Sequence, residues 1–360
     1  MGMISSAPDR PSRTAAIIKS EDEAFAVAGM IAGIFANEDA AQTAQARLDL
    51  LSRSGLFGIS VPTEHGGIDV SNTVLADVCA TAAAQSATLA DILAAHFVAL
   101  EQLRSHGTDG HRAVVFSAVL AGARLCRAMA RPNGQDADTL PLVASGLVWR
   151  LSGEALCTPC GRLADWLLVP VRSDGGQPMG ALLTTRIAGL HYVANSCEPA
   201  DSSTPSAEHV LFKDVAVEAD AVLYLSAEAT VPQSLELLLD AARQVGTGQR
   251  AFSRMLAATD DDPLETGLLS ARLAAARAMM AEAGRAIDAA QIGLADQHRT
   301  NAFLAVTAAL VVAHETASHA HIALDRTAQP TALPLSLAAA LLKSDRLRRQ
   351  VYPHPPEPEE

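Results

Sequence analysis

The spacing of hydrophobic positions along the chain changes twice, near residue 124 and again near residue 230. From about residue 20 to 120, apolar residues recur every three or four positions, as in EDEAFAVAGMIAGIF and LADILAAHFVALEQLRSHG. This spacing predicts amphipathic helices. Gly55 and Gly107 follow two of these stretches, and a glycine in that place is typical of a helix end.

The middle of the chain has a different pattern. Short apolar runs such as LVWRLSGEAL, ADWLLVPVRS, GALLTTRIAGLHYV and AEHVLFKDVAV are separated by Gly, Pro, Asp and Ser, which predicts strands joined by turns. After residue 230 the helical spacing returns, and Asp262, Pro263 and Glu265 in DDPLETGLL predict a capped helix start.

These changes predict an α+β chain with three folded parts. We expect a disordered leader at 1–19, an N-terminal helical domain at 20–123, a central antiparallel β-domain at 124–223, a C-terminal four-helix bundle at 224–350 and a solvated tail at 351–360. An oligomer built through the bundle is also expected.

Net charge and cysteine content limit the partners and the cellular location that we expect. The formal net charge of -13 over 360 residues argues against a nucleic-acid partner, because phosphates are neutralised by clustered Lys and Arg. The five cysteines are an odd number and are scattered, which fits reduced thiols and a cytoplasmic protein. No secretory signal is visible, and the apolar segments near 305–313 and 333–342 are expected to be too short to span a membrane.

One short stretch, LFGISVPTEHGGIDVS at 56–71, combines an apolar run, a proline, an acidic residue, two glycines and a serine. We expect an extended run that Pro62 ends, a tight turn at Gly66 and Gly67, and a helix that Ser71 caps. With HFVALEQLRSHGT, VLAGARL, LADWLLVPV, HVLFKDVAV and DDPL, this stretch resembles the acyl-CoA dehydrogenase superfamily. The resemblance is strongest to its flavin-dependent monooxygenase branch, of the dibenzothiophene-desulfurisation and sulfur-acquisition type, although the chain is divergent and shorter at its C-terminus.

The resemblance implies a flavin, FMN or FAD, between the β-domain and the C-terminal bundle. In the monooxygenase branch a separate reductase delivers reduced flavin, and the cofactor carries the oxygen chemistry. The resemblance also implies a small sulfur-containing or aromatic substrate and a homo-oligomer, a dimer or tetramer. An acyl-CoA dehydrogenase would instead need a carboxylate base. The C-terminal bundle offers few carboxylates at a plausible position, and Glu315 is the best of them.

Site residues follow from the same resemblance. His96 stands where the branch has a histidine facing the flavin cavity, and its role would be proton donor or hydrogen-bond anchor. The alternative is a packing histidine beside Phe97. Thr158 and Trp166 match positions near the flavin, whereas Pro159 and Cys160 replace polar and glycine positions. Cys157 and Cys160 also form a C-x-x-C pair, which we interpret as coincidental because neither a second pair nor a thioredoxin-like context is present.

Two further segments are predicted to contact the flavin. Met129, Ala130 and Arg131 occupy a stretch that usually carries Ser-Glu, and Arg349 belongs to a C-terminal Asp-Arg pattern. The lost polar groups predict weak flavin binding, and they keep open a third hypothesis, a non-catalytic relative that lost the flavin.

A group of histidines and a pair of glycines are interpreted as structural features, not as binding sites. His314, His319 and His321 do not share one helix face, so no metal site is predicted. The glycine pair in QVGTGQR is expected to allow close helix packing.

Overall fold

The computed structural model describes residues 14–37, 43–130, 139–193, 208–226, 230–257, 263–293, 295–324 and 334–351. Contacts divide the described chain into two compact units. Unit 1 lies within 1–70 and 85–228, and unit 2 within 71–84 and 229–360. The described helices are α1 (Glu21–Ala36), α2 (Ala44–Arg53), α3 (Asn72–Gln85), α4 (Ala87–His106), α5 (Asp109–Leu120), α6 (Val231–Ala257), α7 (Pro263–Ile292), α8 (Asp296–Leu324) and α9 (Leu335–Val351).

Local signals set the ends of the helices. The Ser20 and Thr43 hydroxyls accept backbone N–H groups at the starts of α1 and α2, which satisfies donors that a helix start leaves unpaired. Gly55 follows α2 in the left-handed conformation (φ 84°), and Gly107 follows α4. Helix α7 begins at Pro263, as predicted, while Asp262 lies outside the described residues.

The stretch from Leu56 differs from the predicted extended run. Leu56–Gly58 and Thr63–His65 are 3₁₀ helices, and the chain turns back so that the Asp69 and Val70 N–H groups donate to Val61 and Ile59 carbonyls. The tight turn at the glycine pair is confirmed. Gly66 has φ 89°, and a Cβ on Gly67 would overlap the backbone of Val61.

The sheet of unit 1 has eight described strands. They are β1 (Leu125–Ala130), β2 (Leu140–Ser145), β3 (Val148–Cys157), β4 (Trp166–Ser173), β5 (Pro178–Thr184), β6 (Leu190–Val193), β7 (Glu208–Glu218) and β8 (Val222–Tyr224). Their order is β6-β7-β3-β1-β4-β5-β8, and β2 pairs with β3 and β4. Strands β1 and β2 both pair with β3 and β4, but at different registers. They therefore lie end to end, one after the other, between β3 and β4.

The sheet is mostly antiparallel, as predicted, but β1 and β2 each run parallel to β4. Alternate side chains of β1, β3, β4, β5 and β7 form one buried apolar cluster that includes Cys126, Leu167, Val169, Ala181 and Phe212. The other face of β1 and β4 carries Leu125, Met129 and Trp166. Period-two alternation therefore produces the core.

Unit 2 contains the C-terminal helices, in which α6, α7 and α8 pack on one another and α9 packs on α8. Helix α3 also belongs to this unit. Its Asn72 side chain donates to Asp288 and Gln291, at 2.6 and 2.9 Å. A Cβ on Gly246 of α6 would overlap the Ala80 carbonyl, so the glycine pair in QVGTGQR does allow close helix packing.

Helix α8 corrects one expectation from the sequence. The apolar segment near 305–313 lies in a 29-residue helix, the one described helix that is long and apolar enough to cross a membrane by length and composition. The segment looked too short because polar residues flank it. Of its most apolar window, 56% is buried inside the protein, as is common for a core helix.

Candidate functional site

The ring of His96 is fully buried in unit 1, and both of its nitrogens are hydrogen-bonded. Nδ1 accepts from the Leu125 N–H at 3.1 Å. Because a backbone N–H can only donate, the proton of the neutral ring lies on Nε2, which donates to the Phe57 carbonyl at 3.0 Å. His96 therefore ties α4 to the start of β1 and to the 3₁₀ turn at 56–58.

Burial also sets the charge of this ring. Desolvation lowers the pKa of His96 to about 3, although the backbone hydrogen bonds to Phe57 and Leu125 oppose that shift. The ring is neutral at pH 7, and neither nitrogen is available to another partner. These contacts match the packing alternative, while the catalytic assignment of His96 stays a prediction.

The hydroxyl of Thr158 is bonded to the neighbouring strand. Thr158 follows β3, and its Oγ1 accepts from the Arg127 N–H at 3.3 Å and lies 3.2 Å from Cys126 Sγ. Its own N–H donates to the Arg127 carbonyl at 2.9 Å. Pro159 offers no N–H, and Cys160 is buried with φ 73°.

The other predicted contacts on β1 are described only in part. Met129 lies opposite Leu156 in the sheet and is 39% exposed. The backbone of Ala130 pairs with Ala155, and Arg131 lies outside the described residues. We call the surface formed by the exposed Met129 and the half-buried Arg127 and Thr158 the β1 surface.

Weak flavin binding at the β1 surface stays a prediction, which two observations support. An isoalloxazine ring needs several hydrogen-bond partners along its polar edge, and the Thr158 hydroxyl is already paired. A methionine thioether is only a weak acceptor. In the described part of the chain, no buried polar atom of the β1 surface lacks a partner.

Trp166 and Arg349 lie in different units. Trp166 starts β4 opposite Leu125 and is 1% exposed, and its indole Nε1 has no hydrogen-bond partner. Arg349 is exposed on α9, where its guanidinium donates to Asp345 at 2.9 Å. An exposed pair of this kind contributes little to stability.

The cysteine pair Cys157 and Cys160 is buried with Cys126 beside it. The hydrogen bond with the Cys126 thiol, and then desolvation, raise the pKa of Cys157, and desolvation raises that of Cys160. Reactive thiols have a lowered pKa instead. No group of three His, Cys, Asp or Glu side chains that could hold a metal occurs among the described residues.

One cavity of unit 1 was not found from the sequence. It has a volume of about 380 Å³ and lies where the ends of β5 and β7 approach the start of β4, and its lining includes Trp166, His111 and Asp220. In the sheet order, β3, β1 and β4 separate β7 from β5, so the sheet curls to bring them together. Local periodicity carries no signal for such an approach.

Known proteins identify the fold. Residues 22–123 match the family described as acyl-CoA dehydrogenase, N-terminal domain. TdsC from Paenibacillus sp. A11-2, solved with FMN and indole, has a TM-score of 0.70 at 20% identity, covering 91% of this chain and 90% of that one. Methanesulfinate monooxygenase MsuC from Pseudomonas fluorescens has a TM-score of 0.72 at 17% identity, covering 94% of both chains.

The fold is that of the acyl-CoA dehydrogenase superfamily. KijD3, solved with FMN and a dTDP-linked amino sugar, is a third similar structure, with a TM-score of 0.69 at 19% identity, 97% coverage of this chain and 94% of that one. No curated protein sequence shows a significant match. The resemblance inferred from the sequence is therefore confirmed, with the helical domain, the central sheet and the C-terminal helices in the expected order.

Proposed function

We propose that the protein is a flavin-dependent oxidoreductase, and more narrowly a monooxygenase that uses reduced flavin and a small sulfur-containing or aromatic substrate. The observation that carries this proposal is the acyl-CoA dehydrogenase-like fold along nearly the whole chain. Similar structures include TdsC with FMN and indole, and MsuC, a methanesulfinate monooxygenase. FMN is the flavin we propose, since TdsC and KijD3 were both solved with it.

The flavin in this proposal is loosely held and exchanges with solution. When bound, it would supply the activation of oxygen. The chain's own contribution is the β1 surface, in which Met129 is exposed and the Thr158 hydroxyl is bonded to the Arg127 backbone. A loosely held flavin suits an enzyme that receives reduced flavin from a separate reductase. We also propose that the protein is a homo-oligomer, a dimer or tetramer, and that it works in the cytoplasm.

Isotope incorporation tests the activity. The protein would be mixed with a flavin reductase, NADH, FMN and ¹⁸O₂, and offered dibenzothiophene, indole and methanesulfinate in turn. We expect one ¹⁸O atom in the product of at least one compound, only when reductase and protein are both present. No label in any product, with oxygen consumed at the reductase's own rate, contradicts the proposal.

A pair of methionine variants makes the test specific to the β1 surface. Met129→Ala should raise the FMN concentration needed for half-maximal activity, because Met129 is the exposed side chain of that surface. Met30→Ala is the control, since Met30 is 59% exposed on α1 and is not part of the proposed site. Equal effects of the two changes would remove Met129 from the flavin site.

A second candidate function is a non-catalytic relative that has lost the flavin. It is favoured by the engagement of both His96 nitrogens and of the Thr158 hydroxyl within the protein. The acyl-CoA dehydrogenase alternative has less support, because its candidate base Glu315 is exposed on α8 and lines no described cavity.

A further inference from the structure

The cavity between the ends of β5 and β7 contains two polar groups that the protein itself does not satisfy. Within the described part of the chain, Trp166 Nε1 and Asp220 Oδ2 are both buried without a hydrogen-bond partner, and both residues line this cavity. Leaving such groups unpaired costs free energy, and they are uncommon in native structures. Two residues of one cavity lining thus carry an orphan donor and an orphan acceptor, which points to a ligand that supplies the opposite groups.

Asp220 is held in place by its backbone. His111 Nδ1 accepts from the Thr108 N–H at 3.2 Å, so its Nε2 carries the proton and donates to the Asp220 carbonyl. This bond fixes the short 3₁₀ helix Ala219–Ala221 against the start of α5. The Asp220 carboxylate is therefore presented by a rigid element, while its Oδ2 has no partner among the described residues.

Shape and charge define the class of ligand. The volume of about 380 Å³ is in the range of small-molecule sites, and apolar walls come from Leu182, Ile187 and Val217. The charged residues of the lining are two acids, Asp220 and Glu218, and one base, Arg186, so the lining favours a cation. Arg186 and Glu218 are exposed, which leaves Asp220 as the acid with a buried, unpartnered oxygen.

We propose that this cavity binds a small organic cation, an aromatic or heterocyclic amine or amidine whose N–H groups donate to Asp220. The flat apolar body would lie against Leu182 and Ile187, and an acceptor atom of the ligand would pair with the Trp166 indole. The cavity is distinct from the β1 surface, because neither Met129 nor Thr158 lines it. Trp166 thereby receives a role outside the flavin site.

The two tryptophans of the chain make the test direct. They are Trp149 and Trp166, so Trp149→Phe leaves Trp166, a residue of the cavity lining, as the sole tryptophan. Titrating this variant with benzamidine should change the Trp166 emission saturably, whereas benzoate, of similar shape and opposite charge, should not. Asp220→Asn should weaken benzamidine binding at least tenfold, because hydrogen bonds to charged groups are the stronger ones.

Controls separate binding from folding. Asp174→Asn makes the same chemical change at an exposed position outside the cavity and should alter the affinity less than twofold. Ala216→Leu should block the cavity, and because Ala216 is exposed in the lining the variant should fold normally. FMN binding should be unchanged in Asp220→Asn, so failure of this proposal and failure of the flavin proposal are separate results.

Three outcomes would overturn the inference. One is no saturable change in Trp166 emission up to about 10 mM benzamidine, the weak limit for a ligand of this size. The second is equal weakening by Asp220→Asn and Asp174→Asn. The third is tighter binding of benzoate than of benzamidine, which would show that the cavity selects an anion.

Discussion

The neutral buried ring of His96 predicts a specific loss of stability in acid. The pKa of His96 is about 3 in the folded protein, against a usual value of 6.5. Between these two values the unfolded chain binds a proton that the folded chain does not, so stability is lost as pH falls through this window and is retained above it. The expected direction is therefore opposite to that of a histidine that gains an acidic partner.

The size of the effect follows from the two pKa values. Each unit of difference corresponds to about 1.4 kcal/mol, and at pH 5 the unfolded ring is largely protonated while the folded ring is not. His96 should therefore remove about 2 kcal/mol from the free energy of unfolding between pH 8 and pH 5. A typical total stability is about 5–15 kcal/mol, so this loss is measurable.

The assay is urea unfolding at pH 8 and pH 5, followed by tryptophan fluorescence. Trp149 and Trp166 both lie in the sheet of unit 1, so the signal reports the unit that contains His96. In His96→Gln the difference between the two pH values should shrink by about 2 kcal/mol. In His191→Gln, which changes an exposed histidine of the same unit, it should not shrink.

Three results bear on the role of His96. If His96→Gln and the parent lose the same stability between pH 8 and pH 5, the ring is not a neutral buried group and the reasoning is refuted. If the stability effect is present but His96→Gln retains flavin-dependent activity in proportion to the folded fraction, His96 is a packing residue. Loss of activity at full folding would restore the catalytic prediction.

Two other substitutions test the packing of each unit. Arg124→Met should lower the free energy of unfolding by about 2 kcal/mol, because the buried Ser52 hydroxyl loses the guanidinium that donates to it. Asp49, the ion-pair partner of Arg124, is 37% exposed, so water can solvate it once the guanidinium is gone. Urea unfolding measures this loss, and a value below about 1 kcal/mol would contradict the account. Gly246→Ala should destabilise unit 2 by about 2 kcal/mol through overlap with Ala80. The control is Gly267→Ala, where an added Cβ would meet no atom within 4 Å. This change should stabilise α7 by up to about 1 kcal/mol. Equal changes in the unfolding temperature of the two variants, measured by calorimetry, would contradict the packing account.

Helix boundaries and the larger strands could be predicted because their signals are local. Gly55, Gly107 and Pro263 act on their own backbone neighbours, and they mark helix ends or starts in the structure. The four apolar runs predicted as strands contain β3 to β7, with β5 and β6 separated by a turn in which Gly189 has φ 88°. The short strands β1, β2 and β8 were missed, because six, six and three residues are too few for a period to show.

Long-range contacts account for what the sequence did not predict. The stretch from Leu56 has the composition of a strand, but Gly55 and the return hydrogen bonds from Asp69 and Val70 fold it into turns. Helix α3 looks continuous with its neighbours in sequence, yet its partners Asp288 and Gln291 lie more than 200 residues away. No local pattern encodes that pairing.

The site was predictable only through resemblance, and only in part. Sequence places His96 on a helix, but its burial depends on Phe57 and Leu125, which are 39 and 29 residues away. The replacement of polar residues at Pro159 and Cys160 was visible in the sequence, whereas the pairing of the Thr158 hydroxyl with Arg127 was not. The cavity at Asp220 depends on the curl of the sheet.

The most direct test of the central claim is an anaerobic titration of the purified apoprotein with reduced FMN, followed by its absorbance and fluorescence. Each missing hydrogen bond to the ring costs about 0.5–1.5 kcal/mol, so several together weaken binding by tenfold or more. We predict saturable, reversible binding of one FMN per chain with a dissociation constant of about 1 μM or weaker. Stoichiometric flavin that co-purifies with the protein would contradict the loose site, and no saturable binding up to about 1 mM would contradict a flavin-dependent activity altogether.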